Sequence, residues 1–349
     1  MRTFILLNST NGILSYILPN NILRTTTYDI IRKYIIDNTS INKIVDLGSG
    51  IFEHVTASTV IIQLSAIHKK DNIVSIITNI NNLKENRYNL SKIRQCQFNN
   101  NTSYAFNIYI DERTISISNK INHSCKRLGM FCKDIIEGIV AHKHLIIDYP
   151  KEGYEALLEG KCVKRYYITP ANKYILWDKK LIHRSRPDYL WQQKEKILIQ
   201  RISGGEKPII ASIDNNRYKT FASVNNLVLK VEYSHLYPIV VALLNSNVVN
   251  WYYANNFSNN SSLTVNISKT YLEMIPIPNF DENSENIIRT LVNKLMSIKS
   301  EDLSSNISDL ENELNFVIYK LYNLSYDEVL IIYPQTPITR KEYEKGGIL

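Results

Sequence analysis

The stretch of residues 194–205 constrains the fold more than any other part of the chain. The apolar run Ile197–Ile199 is typical of a buried strand, and the strand is followed by Arg201 and the pair Gly204 and Gly205. A guanidinium at a strand end, beside glycines that let the backbone come close, suits contact with DNA phosphates or base edges. Strand and turn alone are also typical of an ordinary surface loop, so the flanking sequence decides the function.

Four further stretches lie at fixed places around this strand. They are Arg127–Ile139, Leu158–Ile168, Ala242–Tyr253 and Leu272–Pro278. In this order the five stretches resemble the specificity domain of TaqI-like N6-adenine DNA methyltransferases. The most specific matches are Leu-Leu-Asn-Ser at 243–246 and Ile-Pro-Ile-Pro at 275–278. The resemblance implies a target recognition domain over roughly residues 128–278, and it extends to the N-terminal segment and the C-terminal tail.

The resemblance implies three parts. Residues 1–115 would be the C-terminal half of a methyltransferase-like α/β domain with a connector, residues 116–280 the specificity domain, and residues 281–349 a helical segment. The expected fold class is therefore α+β or α/β. It would comprise a residual half of a Rossmann-like methyltransferase sheet, then a mixed β-rich target recognition domain, then C-terminal helices.

The charge of the chain favours a polyanionic partner such as double-stranded DNA. Its 41 Lys and Arg against 33 Asp and Glu give a formal net charge of +8. The four cysteines have no paired spacing, so neither a disulfide framework nor a metal site is expected. The apolar run at the start is too short for a signal peptide or a membrane span, which predicts a cytoplasmic protein without a membrane partner.

Residues 12–64 have the order strand, helix, strand, strand. The strands are expected at 12–18, 41–47 and 59–64, and the helix at about 27–35 with Thr27 as its cap and Asp29 in its first turn. This order resembles the closing half of a doubly wound sheet. Because an isolated half-sheet would leave an open edge and apolar faces in water, a catalytic partner chain could dock on residues 12–64.

The sequence Asp-Leu-Gly-Ser-Gly-Ile-Phe at 46–52 imitates the loop that holds S-adenosylmethionine in Rossmann-like methyltransferases. Such a loop needs a third glycine and a helix directly after it, so that the helix N-terminus faces the cofactor. Here Phe52 stands at the third glycine position, and the strand-like residues 56–64 follow. Residues 46–52 are therefore predicted to be a hairpin turn.

The catalytic loop of the family, Asn/Asp-Pro-Pro-Tyr/Phe, has no counterpart, since the sequence contains no Pro-Pro. Eleven residues precede Gly12, too few for a cofactor loop and a catalytic loop. We therefore expect no catalytic or cofactor-binding residue in this chain and no methylation by the chain alone. S-adenosylmethionine is expected only if a catalytic partner completes the enzyme. The asparagine-rich residues 72–107 are interpreted as a solvated connector, with a DNA-tracking arm as the alternative.

The candidate DNA contacts are basic and aromatic residues of the specificity domain. Gly160 allows a tight turn, after which lysines, an arginine and a tyrosine follow within six residues, and residues 173–186 interleave further cations with aromatics. Asp214–Lys219 is expected to be a turn. The hypothesis is that Arg165, Tyr166 and Arg201 contact bases, and that the phosphate contacts are Lys161, Lys164, Lys179, Lys180, Arg184, Arg186, Arg217 and Lys219.

The remaining part of the chain is expected to be supporting structure. Residues 236–253 have near-helical apolar spacing and predict one buried helix, while the prolines of 275–278 predict an extended segment. Capping boxes at Ser308–Glu311 and Ser325–Glu328 each predict a helix start near the C-terminus.

The function expected is sequence-specific DNA recognition within a site-specific N6-adenine methyltransferase of a restriction-modification system. One alternative is an active split methyltransferase subunit completed by a partner chain. Another is a non-catalytic specificity or scaffold subunit whose helices join other proteins, and a decaying gene fragment is a third.

Overall fold

The computed structural model describes residues 12–52, 58–82, 87–109, 111–204, 207–258 and 265–346. The chain divides into two compact units, Met1–Ile115 with Asn255–Asn260, and Ser116–Ala254 with Ser261–Leu349. Both contain strands and helices, so the fold class is mixed α+β, and the C-terminal helices belong to the same unit as the specificity-type sequence.

The N-terminal unit contains a five-stranded sheet in the order β1-β3-β2-β4-β5. Its elements are β1 Ile13–Pro19, α1 Asp29–Asn38, β2 Ser40–Gly48, β3 Thr59–Ser65, β4 Ile73–Asn82 and β5 Arg87–Arg94. The pair β2 and β4 is parallel and the other pairs are antiparallel. The three strands expected in residues 12–64 are confirmed. Because β2 and β3 are consecutive antiparallel neighbours, the strand order agrees with the predicted hairpin. Its bounds differ, since residues 46–48 still belong to β2 and β3 begins only at Thr59.

The solvated connector predicted at 72–107 is wrong. This segment supplies β4 and β5 to the sheet, and its Phe98 and Phe106 are fully buried with ring centroids 5.0 Å apart. Buried Val74 and Ile76 alternate with less buried neighbours along β4, which is the period of a strand with one covered face.

The start of α1 differs from the prediction. Residues 26–28 form a 3₁₀ turn, so Thr27 is not the cap and the helix begins at Asp29 without a side-chain cap. Asp29 does lie in the first turn, as predicted. The buried Arg32 holds the surrounding loops, because its guanidinium donates to the carbonyl oxygens of Ile22 (2.9 Å) and Thr25 (3.0 Å).

The second unit is built from short strands and many helices. Its first elements are α2 Glu112–Asn122, β6 Lys126–Arg127, α3 Leu128–Phe131, β7 Cys132–Glu137, β8 Ile146–Ile147, β9 Tyr154–Leu158, β10 Val163–Lys164, β11 Tyr167–Ile168, β12 Tyr174–Leu176, α4 Asp188–Gln192, β13 Lys196–Gln200, β14 Ile202–Ser203, β15 Ala211–Asp214, β16 Lys219–Thr220 and β17 Val224–Leu229. The later elements are α5 Tyr237–Asn245, α6 Asn247–Phe257, β18 Val265–Asn266, α7 Lys269–Glu273, β19 Pro276–Ile277, α8 Glu282–Glu301, α9 Ser308–Leu321, α10 Tyr326–Ile332 and α11 Arg340–Lys345. α2 begins a few residues before the unit boundary, and α6 ends just beyond it.

Two four-stranded sheets form the centre of this unit. One has the order β15-β13-β17-β7 and the other β16-β9-β12-β8. All five residues of β13 are buried, as the apolar run Ile197–Ile199 predicts. The strand ends at Gln200, directly before Arg201.

The single helix predicted over 236–253 is two helices, α5 and α6, that meet at an extended Ser246 (φ −67°, ψ 156°). A local cap and a tertiary contact meet at this break. The hydroxyl of Ser246 accepts from Val249 N–H (3.2 Å) at the start of α6. The side chain of Asn245 accepts from the Ala211 N–H (3.0 Å) and donates to the Ala211 carbonyl (2.9 Å), as a neighbouring strand would. The motif Leu-Leu-Asn-Ser therefore joins α5 to β15.

The C-terminal predictions are confirmed in part. Residues 276–277 are extended and pair with β6, and the box at Ser325 and Glu328 caps α10. The box at Ser308 is wrong, because α9 begins at Ser308 itself and the hydroxyl of Ser308 bonds to Asn306. In the ranges given above, no helix has the length and apolar character that crossing a membrane requires.

Candidate nucleic-acid interface

Arg201 lies where the sequence predicts it, at the exit of β13, but it is held by neighbours. Its main-chain N–H donates to Ser223 O (2.9 Å), and its guanidinium donates to Ala222 O (3.2 Å). The Nη2 atom lies 3.1 Å from Glu137 Oε1. Side-chain exposure of 31% leaves part of the guanidinium open to solvent.

Arg186 binds the other oxygen of the same carboxylate. Its Nη2 lies 3.5 Å from Glu137 Oε2, and its Nε donates to Gly138 O (3.0 Å). The backbone of Arg184 pairs with Val140, through a hydrogen bond from Arg184 N–H to Val140 O (3.1 Å). We call Arg184, Arg186 and Arg201 the arginine cluster.

The arginine cluster carries excess positive charge. Three guanidinium charges against the single carboxylate of Glu137 leave +2. Burial lowers the pKa of Arg186, the charge of Glu137 opposes this, and the charges of Arg184 and Arg201 lower it further. Such a concentration of cations on a half-exposed surface attracts phosphates.

Gly138 allows this arrangement. A Cβ at Gly138 would lie 2.2 Å from the carbonyl oxygens of Thr220 and Phe221, so only glycine permits the chain after β7 to approach them. The approach brings Glu137 beside Arg186 and Arg201.

Two exposed apolar side chains lie beside members of the arginine cluster, one in sequence and one through a backbone pairing. Ile202 follows Arg201 directly and is 60% exposed. Val140, the backbone partner of Arg184, is 37% exposed. Gly204 is exposed two residues further on, whereas Gly205 lies outside the described residues.

The structure buries Tyr166 and leaves Arg165 half-buried, with its guanidinium bound to main-chain carbonyls. They occupy the turn between β10 and β11, where Tyr166 has φ +67° and is 2% exposed. Arg165 donates to Asn245 O (3.1 Å) and Lys207 O (2.8 Å). Burial raises the pKa of Tyr166 and lowers that of Arg165. Their predicted base contacts would therefore require the turn to open.

The remaining predicted contacts differ in exposure. Lys161 is exposed and pairs with Glu159 (2.7 Å), while Lys164 is half-buried on β10. After β12, Lys180 is exposed and Lys179 pairs with Asp188.

The predicted turn at Asp214–Lys219 presents one of its two cations. Arg217 is exposed with φ +58°, and Asp214 accepts from the N–H groups of Asn216 (2.8 Å) and Tyr218 (3.0 Å). Lys219 is turned inward, because its Nζ lies 3.3 Å from Glu155 and 4.4 Å from the ring centroid of Trp177. A phosphate would have to displace Glu155 to reach Lys219.

Two residues of this surface were not predicted. Glu137 lies in Arg127–Ile139, one of the stretches that resemble the TaqI-like specificity domain, but no neighbouring residue indicates that it pairs with arginines. The exposure of Ile202 follows from its position after the strand has ended, on the short β14 that pairs with β18.

Residues 46–52 lie at the end of the second strand of the N-terminal sheet. They end β2 and begin the connection to the antiparallel β3. Asp46 accepts hydrogen bonds from Gly48 N–H (3.1 Å) and from the hydroxyl of Tyr109. Over the part of the chain that the structure covers, no three His, Cys, Asp or Glu residues are grouped for a metal ion.

Comparison with known families concerns part of the second unit and the start of the first. Residues 155–277 match the family described as the TaqI-like C-terminal specificity domain. The chain carries a TaqI-like specificity domain. Residues 1–52 match the Eco57I restriction-modification methylase family. The TaqI-like specificity domain contains β9 through β19, including Arg184, Arg186 and Arg201.

Two solved structures have a similar fold. One is the Type IIL restriction-modification enzyme MmeI in complex with DNA, with a TM-score of 0.60 and 10% identity over 96% of this chain and 50% of that one. The other is a nuclease-deletion mutant of the Type ISP restriction-modification enzyme LlaGI with a DNA substrate mimic, with a TM-score of 0.51 and 13% identity over 85% and 30%. This chain thus spans half the length of MmeI. No curated protein matches it.

Proposed function

We propose that this chain recognises a specific sequence in double-stranded DNA, in the cytoplasm, as the target recognition part of a site-specific N6-adenine methyltransferase of a restriction-modification system. The observation that carries the proposal is the arginine cluster. Its three members lie within the residues that match the TaqI-like specificity domain, and together with Glu137 they form a net positive site. MmeI and LlaGI, whose folds are similar, are described in complex with DNA or a DNA mimic.

The exposure of each cation suggests its role. Arg201 and Arg186 are held by one carboxylate, which fixes the plane of each guanidinium and suits contact with guanine acceptors. The exposed cations suit phosphate contacts, because they replace counterions and have at most a weak surface ion pair to exchange, as Lys161 and Lys179 have. They are Lys161, Lys179, Lys180, Arg184 and Arg217.

Binding of the purified chain to duplexes of random and selected sequence tests the proposal. Arg201→Ala should cost roughly 1 to 3 kcal/mol on the selected sequence and relax its preference, because a bidentate base contact is lost. Arg217→Ala should weaken binding to every duplex and lower the salt slope by about 0.9, the value of one phosphate contact. Arg289→Ala is the matched control, since Arg289 pairs with Glu285 on α8 and should leave binding unchanged. An equal loss on all sequences for Arg201→Ala would contradict base contact by Arg201.

A second candidate is a split methyltransferase, and a surface of the N-terminal unit favours it. In this proposal the five-stranded sheet is the residual half of a Rossmann-like methyltransferase sheet, and a partner chain supplies the S-adenosylmethionine loop and the Pro-Pro loop. β1 is an edge strand with Ile13 63%, Tyr16 42% and Ile17 50% exposed. An apolar cavity of about 310 Å³ lies between β1, β3 and α1. An edge strand with exposed apolar side chains is a site where another chain can pair.

Transfer of labelled methyl groups from S-adenosylmethionine to mixed-sequence duplex DNA tests this candidate. We expect activity only when the product of the adjacent reading frame is added, and loss of that activity in Ile17→Lys. Leu90→Lys is the control, because Leu90 is 59% exposed on β5, the opposite edge of the same sheet. Methyl transfer by the chain alone would contradict our proposal that residues 46–52 do not bind S-adenosylmethionine. If the chain binds DNA but neither mixture transfers methyl groups, the split methyltransferase is excluded and the non-catalytic specificity or scaffold subunit is supported.

A further inference from the structure

Strands β14 and β18 form a two-stranded antiparallel ribbon directly after Arg201. Ile202 lies opposite Asn266, and Ser203 lies opposite Val265. Ile202 is 60% exposed and Asn266 is exposed as well, whereas Val265 is 7% exposed. Neighbouring side chains of a strand point to opposite faces. The ribbon therefore has one covered face and one open face, and the open face presents Ile202 and Asn266.

The main chain around Asn266 is held by three hydrogen bonds. Arg201 O accepts from Ile267 N–H (2.8 Å), and Asn225 Nδ2 donates to Ile267 O (2.7 Å). The hydroxyl of Tyr253 donates to Asn266 O (3.3 Å). Ile267 itself is 0% exposed. This support keeps the exposed amide of Asn266 at a defined place on the surface, as specific recognition requires.

The charge beside the ribbon indicates which partner covers its open face. A single exposed isoleucine is ordinary on a protein surface. Here, however, Ile202 directly follows Arg201 of the arginine cluster, which has an excess charge of +2 over Glu137. That charge attracts phosphates on both sides of a DNA groove, and the major groove of B-DNA admits a two-stranded ribbon.

The two side chains of the open face suit the two bases of an A·T pair. An asparagine amide makes two hydrogen bonds to adenine, since its oxygen accepts from the 6-amino group and its nitrogen donates to N7. An aliphatic side chain packs against the 5-methyl group of thymine. Both groups lie at the major-groove edge of the pair. Directly opposite residues of an antiparallel ribbon have Cβ atoms about 5 Å apart, so Ile202 and Asn266 can reach one base pair together.

We propose that the open face of this ribbon enters the major groove and reads one A·T pair of the target sequence. Asn266 contacts the adenine, and Ile202 packs against the thymine methyl group. This inference rests on the proposed function, because both residues lie within the part of the chain that matches the specificity domain. It adds an A·T preference to the guanine contact proposed for Arg201. The two contacts should lie close together on the DNA, since Arg201 and Ile202 are consecutive.

Selection of bound duplexes from a random library by the purified full chain gives the preferred sequence, and analogue bases at its A·T pairs then test the proposal. At one pair, uracil in place of thymine removes the methyl group and should weaken binding about fourfold. At the same pair, 7-deazaadenine removes the N7 acceptor and should weaken binding about fivefold, the lower end of the range for a bidentate contact.

Each variant should remove the effect of its own analogue. Ile202→Ala should abolish the uracil effect and keep the 7-deazaadenine effect. Asn266→Ala should do the reverse and weaken binding to the preferred sequence roughly 5- to 150-fold. The matched controls are Leu303→Ala and Asn293→Ala, which change exposed residues beyond the part that matches the specificity domain and should leave both analogue effects intact. Circular dichroism confirms that each variant folds.

The outcomes separate this proposal from the proposed function. Analogue effects that persist in both Ile202→Ala and Asn266→Ala overturn the proposal while sequence recognition stands, because other residues would then read the bases. A preferred sequence without an A·T pair that is sensitive to both analogues also overturns it. If the library gives no preferred sequence, the proposed function fails and the reading of an A·T pair fails with it.

Discussion

The buried ion pair between Lys196 and Asp214 supports the exposed turn that presents Arg217. Lys196 Nζ lies 2.5 Å from Asp214 Oδ2, both side chains are 0% exposed, and the ammonium also donates to Tyr218 O (3.1 Å). Burial lowers the pKa of Lys196, and the charge of Asp214 opposes that shift. Neither charge has water to solvate it if its partner is removed.

We expect Lys196→Met to destabilise the second unit by about 3 to 5 kcal/mol, because the carboxylate of Asp214 would stay buried without a counter-charge. At roughly 2 to 4 °C per kcal/mol for a unit of this size, Tm should fall by about 6 to 20 °C. Asp214→Asn should also be costly, since it leaves the ammonium unpaired. The double variant Lys196→Met/Asp214→Asn should be much more stable than the sum of the single effects predicts.

Urea unfolding of the four proteins in a double-mutant cycle measures this coupling. Lys179→Ala is the control, because Lys179 and Asp188 are both exposed and such a pair contributes about 0 to 1 kcal/mol. The reasoning is refuted if the two single effects add within about 0.5 kcal/mol, the range found for independent sites. Reduced duplex binding by Lys196→Met under conditions where it is folded would connect the pair to the Arg217 turn.

Three further substitutions test the arginine cluster and its supports. Glu137→Gln should strengthen binding to any duplex by up to about fivefold. The change removes roughly 1 kcal/mol of short-range repulsion in water between the Glu137 carboxylate and DNA phosphates. Duplex binding measured over a range of salt concentrations tests this. Gly138→Ala should cost about 1 to 3 kcal/mol in thermal unfolding, because the new methyl group meets two carbonyl oxygens at 2.2 Å. Asn245→Ala should cost about 1 to 3 kcal/mol per main-chain group of Ala211 left unpaired, whereas an unchanged Tm would contradict the role given to Leu-Leu-Asn-Ser.

Local pattern accounts for the parts of the fold that the sequence predicted. The apolar run at 197–199 and the prolines of 275–278 each determine their own backbone, and both lie in strands. β4 was missed because the many asparagines of residues 72–107 outweigh the alternation at Val74 and Ile76. The break at Ser246 was missed because the apolar spacing on both sides of it masks the local cap that Ser246 gives to Val249 N–H. The contact of Asn245 with Ala211, which lies on a different element, has no local signal.

The sequence predicted which basic residues belong to the arginine cluster, but it did not predict how they are arranged around Glu137. Basic residues that follow a strand can be recognised in the sequence, but the carboxylate of Glu137, which pairs with two of them, cannot. Glu137 meets Arg201 only because β7 and β13 flank β17 in one sheet, and because Gly138 permits close packing at the end of β7. Such pairings depend on strand order, which one sequence does not show.

Arg201 is a better candidate for a base contact than Arg165, because its internal contacts cost less free energy to exchange for DNA. Arg201 would exchange only its half-exposed ion pair with Glu137 for DNA, at a cost of about 0 to 1 kcal/mol, if it keeps its hydrogen bond to Ala222 O. Arg165 would have to abandon two charged hydrogen bonds to carbonyl oxygens, at roughly 1.5 to 3 kcal/mol each. A bidentate guanine contact returns about 1 to 3 kcal/mol, which exceeds the first cost but not the second. Arg165→Ala should therefore lower Tm and weaken all duplexes alike, whereas a loss confined to one sequence would place Arg165 among the base contacts.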